Sequence, residues 1–210
     1  MLLTVPDPPE SAIFDVQPSA AIDFAHGVVM PAERLFIAIP LPVPLRNQLM
    51  GLFDPLRSIV WTRPEQLHLT LRFLGAVDAE RFDPIAAALE RVRVEPFLLS
   101  LSSVGAFPPR GAARIIWVGV GHGHPRLNQL RQQIDDALLA TGLPVDVRLF
   151  HPHVTLGRVK NDAAPGAAIE FLKRHRDFEG APFRAEAFHL CASELRPGGA
   201  VHTLKREFRL

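Results

Sequence analysis

His68-Leu69-Thr70-Leu71 and His153-Val154-Thr155-Leu156 are two copies of one tetrapeptide, set far apart in a chain of 210 residues. Successive side chains of an extended strand alternate between its faces. His68 and Thr70 therefore share one face while Leu67, Leu69 and Leu71 point into a core, and His153 and Thr155 repeat the pattern above Val154 and Leu156. One histidine in an apolar strand is ordinarily a hydrogen-bonded structural residue. Two copies in matching frames read as one site built twice.

The surroundings of the two copies also correspond. Arg34-Leu-Phe-Ile-Ala-Ile-Pro, a short apolar run bounded by prolines, predicts a buried strand. Arg114-Ile-Ile-Trp-Val-Gly-Val answers it in the second half. A helix follows each strand. The first starts at Pro42 and Pro44 and carries Leu45, Leu49, Leu52, Phe53 and Leu56 on one face; the second carries Leu127, Leu130, Ile134, Leu138 and Leu139. Leu45-Arg46-Asn47-Gln48-Leu49 is echoed by Arg126-Leu127-Asn128-Gln129-Leu130. The histidine strands, expected over 66–74 (closed by Gly75) and 148–159, complete each half. The order strand, helix, loop, His-x-Thr strand is thus expected to be an internal duplication.

Asp78 is placed to cap a helix running to about Val92, with Phe82, Ile85, Ala86 and Leu89 inward. A strand is expected over 97–104, a turn at Phe107-Pro-Pro-Arg-Gly and a short helix from Ala167 to His175. A strand over 183–195, the turn Pro197-Gly198-Gly199 and a returning strand over 201–210 make a closing hairpin. Residues 1–33, with Pro6, Pro8, Pro9, Pro18 and Pro31, read as an irregular arm, and Met30, just before the first strand, is a candidate for the native start. The chain fits one ample domain or two small fused lobes.

Composition narrows the function classes. A net charge of +1 does not suit a protein that wraps long nucleic acid by counterion release, so any nucleic-acid contact is expected to be a terminal phosphate and a few nucleotides. No uncharged apolar run reaches a membrane span, and the start lacks the basic region of a secretory signal. One cysteine, Cys191, forms no internal disulfide and builds no Cys-rich zinc motif. A monomer in a reducing cytoplasm is the expectation. His151-x-His153 has no acidic or thiol partner at ligand spacing, and neither a metal nor another cofactor is expected.

Two facing His-x-Thr pairs suit phosphoryl chemistry. With an ordinary pKa of about 6.5, one imidazole can be neutral and its twin protonated near neutral pH. Such a pair takes a proton from an attacking water or hydroxyl and gives one to the departing oxygen, each transfer being worth about 10² to 10⁴ in rate. Thr70 and Thr155 can donate to the non-bridging oxygens of a phosphate. Alternation from His68 also places Arg72 on the same face as a second phosphate contact, whereas alternation from His153 reaches Gly157 rather than Arg158.

The doubled motif, the strand 34–39, the context 61–75, the run Phe150-His151-Pro152-His153-Val154-Thr155-Leu156-Gly157-Arg158 and the Pro197-Gly198-Gly199 turn resemble the two-histidine phosphoesterase superfamily. Within it the chain is similar to the RNA 2′,3′-cyclic phosphodiesterases, historically called 2′-5′ RNA ligases, over residues 34–210. The resemblance implies an α+β, bilobal, pseudo-two-fold fold with two antiparallel sheets, flanking helices and a central cleft. It implies hydrolysis of an RNA-terminal 2′,3′-cyclic phosphate to a 2′-phosphate, and ligation in reverse. His153 would activate water, His68 would protonate the 3′ oxygen, Thr70, Thr155 and Arg158 would hold the phosphate, and Phe36 would stack on the terminal base. His202 stands where many relatives are expected to carry a tyrosine. A small cyclic nucleotide or ADP-ribose cyclic phosphate as substrate, and a non-catalytic RNA-end binding module, are the alternative readings.

Overall fold

The computed structural model describes residues 32–54, 58–121, 124–160, 166–196 and 199–210. Met30 and the expected arm as far as residue 31 lie outside the described residues, as do Leu56 and the Pro197-Gly198 pair. The apolar run of the first half forms β1 (Glu33–Pro40), whose residues 35–39 are all buried. Pro42 and Pro44 then open α1 (Val43–Met50), where a missing N–H costs nothing. This helix is shorter than its stripe suggests. It stops at Gly51, and Pro55 follows four residues later, so Leu52 packs into the core from a turn.

The connector before the first motif contains a strand too short to show periodicity, β2 (Ile59–Trp61). β3 (His68–Val77) follows and runs through Gly75, where a stop was expected. Gly75 adopts φ +77° where the pairing with β1 shifts register, so the glycine supplies an irregularity within the strand. α2 (Ala79–Leu89) begins after Asp78, which occupies the capping position without making a side-chain cap bond. The strand expected over 97–104 is broken at Ser100 into β4 (Phe97–Leu99) and β5 (Leu101–Phe107). β6 (Ile115–Val120) and α3 (Pro125–Leu139) match their patterns, except that Leu139 is 54% exposed. β7 (His153–Val159) starts only at the motif, because Pro152 has no N–H for a ladder. α4 (Ala167–His175), β8 (Phe183–Ala185), β9 (Ala187–Arg196) and β10 (Gly199–Arg209) complete the chain.

This α+β fold contains two antiparallel sheets among the described residues. The larger runs β10-β9-β1-β3-β7-β6-β5 with β2 also paired to β7, and β4 pairs with β8. β3 and β7 pair directly at Leu69↔Val154, next to the three pairs that β2 makes with β7. The two histidine strands are therefore neighbours in one continuous sheet. Leu69, Leu71, Val154 and Leu156 are buried with Leu127, Leu130 and Ile134 of α3 in one core, so the histidines take the opposite face. Among the described residues no helix is long and apolar enough to cross a membrane.

Candidate active site

The pair Leu69↔Val154 sets the site geometry. In an antiparallel ladder a local two-fold axis through one pair exchanges equivalent positions on the two strands. Here it exchanges His68 with His153 and Thr70 with Thr155. Each histidine then lies across from the other motif's threonine, and the two imidazoles stand diagonally about the axis. Their mutual approach is electrostatically felt, since charge on His153 disfavours protonation of His68.

Both imidazoles are held the same way. Nδ1 of His68 lies 2.6 Å from the carbonyl oxygen of Gln66, and Nδ1 of His153 lies 2.7 Å from that of His151. A carbonyl oxygen only accepts, so Nδ1 carries the proton in each ring and Nε2 is left for chemistry. Burial pushes the His68 imidazole down to about 4, opposed by the bond to Gln66 and reinforced by the charges of His202 and His153. His153 is also lowered from 6.5, again by burial first. Both rings are neutral bases at pH 7 in the free protein.

An extra residue interrupts both strands at the last residue of the motif. Ala38 faces Thr70 and Ile37 faces Arg72, leaving Leu71 unmatched; Trp117 faces Thr155 and Ile116 faces Gly157, leaving Leu156 unmatched. Each bulge reverses the alternation beyond it. Arg158 thereby returns to the histidine face, where simple alternation had put Gly157. Its counterpart in the first half is Phe73, 49% exposed.

By the same reversal Arg72 is turned away from the histidines, and its expected phosphate contact is corrected. The side chain is only 7% exposed and pairs with Asp146 at 2.7 Å and Asp135 at 3.5 Å. Its other nitrogen donates to the Pro144 carbonyl at 2.5 Å. Asp146 also pairs with Arg131 of α3, which donates in turn to the Leu71 carbonyl at the bulge and lies under the Phe150 ring. This buried cluster ties α3 and the approach to the second motif to the first histidine strand.

Gly157, the counterpart of Arg72, has no such room. A Cβ there would lie 2.8 Å from Cγ2 of Ile59 and 3.0 Å from the Val60 carbonyl oxygen of the paired strand β2. Gly157→Ala is expected to cost about 1–3 kcal/mol, as overpacking of an interior does, and urea unfolding monitored by circular dichroism measures it. An unchanged midpoint would mean that β2 yields.

Phe36 lies on the histidine face but is 3% exposed. Its ring centroid is 4.9 Å from His68 and 4.9 Å from His202. With no open face to offer a base, it backs the first histidine, which corrects the stacking role expected of it. His202 stands where the resemblance implies a tyrosine, and β10 brings it edge-on to His68 at 5.1 Å. Gln66, whose carbonyl holds His68, donates to the Ala200 carbonyl, so the closing hairpin is tied to the site. The ring neighbours of His153 are Phe107 at 5.0 Å and Trp117 and His151 at 6.1 Å. Only the register of β5, β6 and β10 brings in Phe107, Trp117 and His202, and no local motif marks them.

The sequence profile of the 2′-5′ RNA ligase superfamily matches residues 51–196. An Aeropyrum pernix RNA 2′,3′-cyclic phosphodiesterase is 31% identical over 158 residues, covering 75% of this chain and 88% of that protein. The fold is similar to a solved Thermus thermophilus protein, with TM-score 0.71 and 30% identity over 84% of this chain and 97% of that one. It is also similar to Escherichia coli LigT complexed with 3′-AMP, with TM-score 0.69 and 27% identity over 85% and 98% of the two chains.

Proposed function

The chain belongs to the 2′-5′ RNA ligase superfamily, and from that premise we propose that it is an RNA 2′,3′-cyclic phosphodiesterase working by metal-independent acid–base catalysis. The observation that carries the reading is the pair of identically hooked imidazoles, each with Nδ1 on a backbone carbonyl, which leaves Nε2 as the unprotonated nitrogen. The cyclic phosphate lies over the Leu69↔Val154 axis, with Thr70 and Thr155 donating to its non-bridging oxygens and Arg158 countering its charge. Nε2 of His153 takes a proton from water as the water oxygen attacks phosphorus. The P–O3′ bond breaks in line, His68 delivers a proton to O3′, and the product keeps a 2′-phosphate. A nucleoside 5′-hydroxyl in place of water gives a 2′-5′ linkage.

His68 is the harder of the two rings to protonate in the free site. Its proton therefore comes with the substrate, because a phosphate monoanion beside an imidazole favours the imidazolium. An oligonucleotide ending in a 2′,3′-cyclic phosphate, incubated with EDTA, is expected to yield the 2′-phosphate. A 3′-phosphate product, or no turnover, would refute the reading. The base must be neutral and the acid charged, and kcat/KM reports the free enzyme. With both groups lowered in the free protein, the kcat/KM optimum falls below pH 6.5, and the kcat optimum lies above the kcat/KM optimum because the bound phosphate favours the imidazolium. A kcat/KM optimum above pH 7.5 would contradict this arrangement.

A further inference from the structure

The wall beside His153 is built for more than packing. Trp117 is the ladder partner of Thr155, which puts it on the histidine face. Its partner on the other side is Gly105. A Cβ on Gly105 would lie 2.1 Å from Cζ2 of the indole, and one on Gly119 would lie 3.2 Å from Cζ3. The ring thus lies over glycine on its own strand and on the next, and any side chain at 105 would displace it. Phe107, 5.3 Å away and inclined by 37°, and the exposed His151, edge-on at 4.8 Å, flank the indole. Trp117 is itself partly exposed, and its buried Nε1 has no hydrogen-bond partner among the described residues.

The chemistry assigned to His153 decides what such a wall is for. In an in-line displacement the nucleophile enters opposite the departing oxygen, so the His153 side is where the nucleophile is held and the His68 side is where O3′ leaves. Water needs no aromatic surface. A nucleoside does, because base–aromatic stacking is worth about 1–3 kcal/mol per base. We propose that Trp117, with Phe107 and His151, is a second nucleoside subsite that presents a 5′-hydroxyl to the cyclic phosphate; this rests on the role of His153 proposed above.

In that step the 5′ oxygen forms the new bond to phosphorus and its proton passes to Nε2 of His153. The P–O3′ bond breaks, and O3′ takes the proton of His68. The product is a 2′-5′ phosphodiester, with no other reactant needed. Read backwards, the same subsite holds the departing nucleoside when a 2′-5′ linkage is cleaved.

The test compares two substrates, adenosine 2′,3′-cyclic phosphate and 2′-5′-linked ApA, with wild type, Trp117→Ala and Trp117→Phe. Trp117→Ala is expected to lose at least tenfold more kcat/KM on the dinucleotide than on the cyclic phosphate, with the loss in KM. Trp117→Phe should restore most of it, which a merely structural role would not require. Equal losses on both substrates, no loss on the dinucleotide, or a wild type that hydrolyses the cyclic phosphate but leaves the dinucleotide intact would each overturn the subsite. Failure of wild type on the cyclic phosphate would instead bring down the hydrolase reading beneath it. Binding is read separately in Trp61→Phe protein, where Trp117 is the sole remaining indole of the two. Adenosine should quench its fluorescence, and unchanged emission at saturating adenosine would also overturn the proposal.

Discussion

His153→Ala is expected to lower kcat on an RNA 2′,3′-cyclic phosphate by about 10² to 10⁴, or about 3–5 kcal/mol of barrier, with thermal melting confirming an intact fold. His68→Ala should lose a comparable amount, and the two roles separate on a substrate in which sulfur replaces O3′. A thiolate departs without a proton, so the variant lacking the acid recovers most of its rate there, while the variant lacking the base does not. Recovery by His153→Ala instead would exchange the roles. The two hooks make this a clean comparison, because each alanine removes one Nε2 from an otherwise matching frame. Near-normal rates from either variant on the natural substrate would remove that residue from the chemistry.

The largest expected effect on stability comes from Asp146→Ala. This carboxylate is 10% exposed and pairs with Arg72 at 2.7 Å, Arg131 at 3.2 Å and Arg148 at 2.7 Å. Arg148 is largely solvated, at 57% exposure, and its pair adds little. Arg72 and Arg131 are only 7% and 10% exposed, so removing their shared partner leaves two interior cations with Asp135 alone. Breaking a buried pair in this way costs about 3–5 kcal/mol, to be read as a lower urea midpoint at unchanged slope. A loss below about 1 kcal/mol would show that water reaches the arginines. The cost extends to function, since Arg131 holds the Leu71 carbonyl beside the first motif and packs under Phe150 just ahead of the second.

The four central groups were legible because they need only the two-residue period of a strand. His68 with Thr70 and His153 with Thr155 fall on one face under any register that buries the leucines between them. What lies beyond the threonines was not legible from that period. Leu71 and Leu156 look like ordinary core residues, and nothing in their chemistry announces that each stands unmatched. Simple alternation therefore exchanged the places of Arg72 and Arg158, since the register turns the first away from the histidine face and returns the second to it. Contacts set by distant strands were also out of reach. Phe36 sits in an apolar run whichever way it faces, and His202, Phe107 and Trp117 reach the histidines only through the pairing of β10, β5 and β6. The end of α1 was a local error, because Gly51 and Pro55 outweigh a leucine stripe that continues past them.

The matched bulges turn the motif into a rule about counting. Histidine, threonine and the third side chain of the open face stand at positions 1, 3 and 6 of each copy, as His68, Thr70 and Phe73 and as His153, Thr155 and Arg158. An unbroken strand offers only odd places, so no choice of residue types could recruit position 6 without the spare residue before it. The ends of the site are thus free to diverge, one aromatic and one cationic, while the spacing that brings them there stays common to both copies.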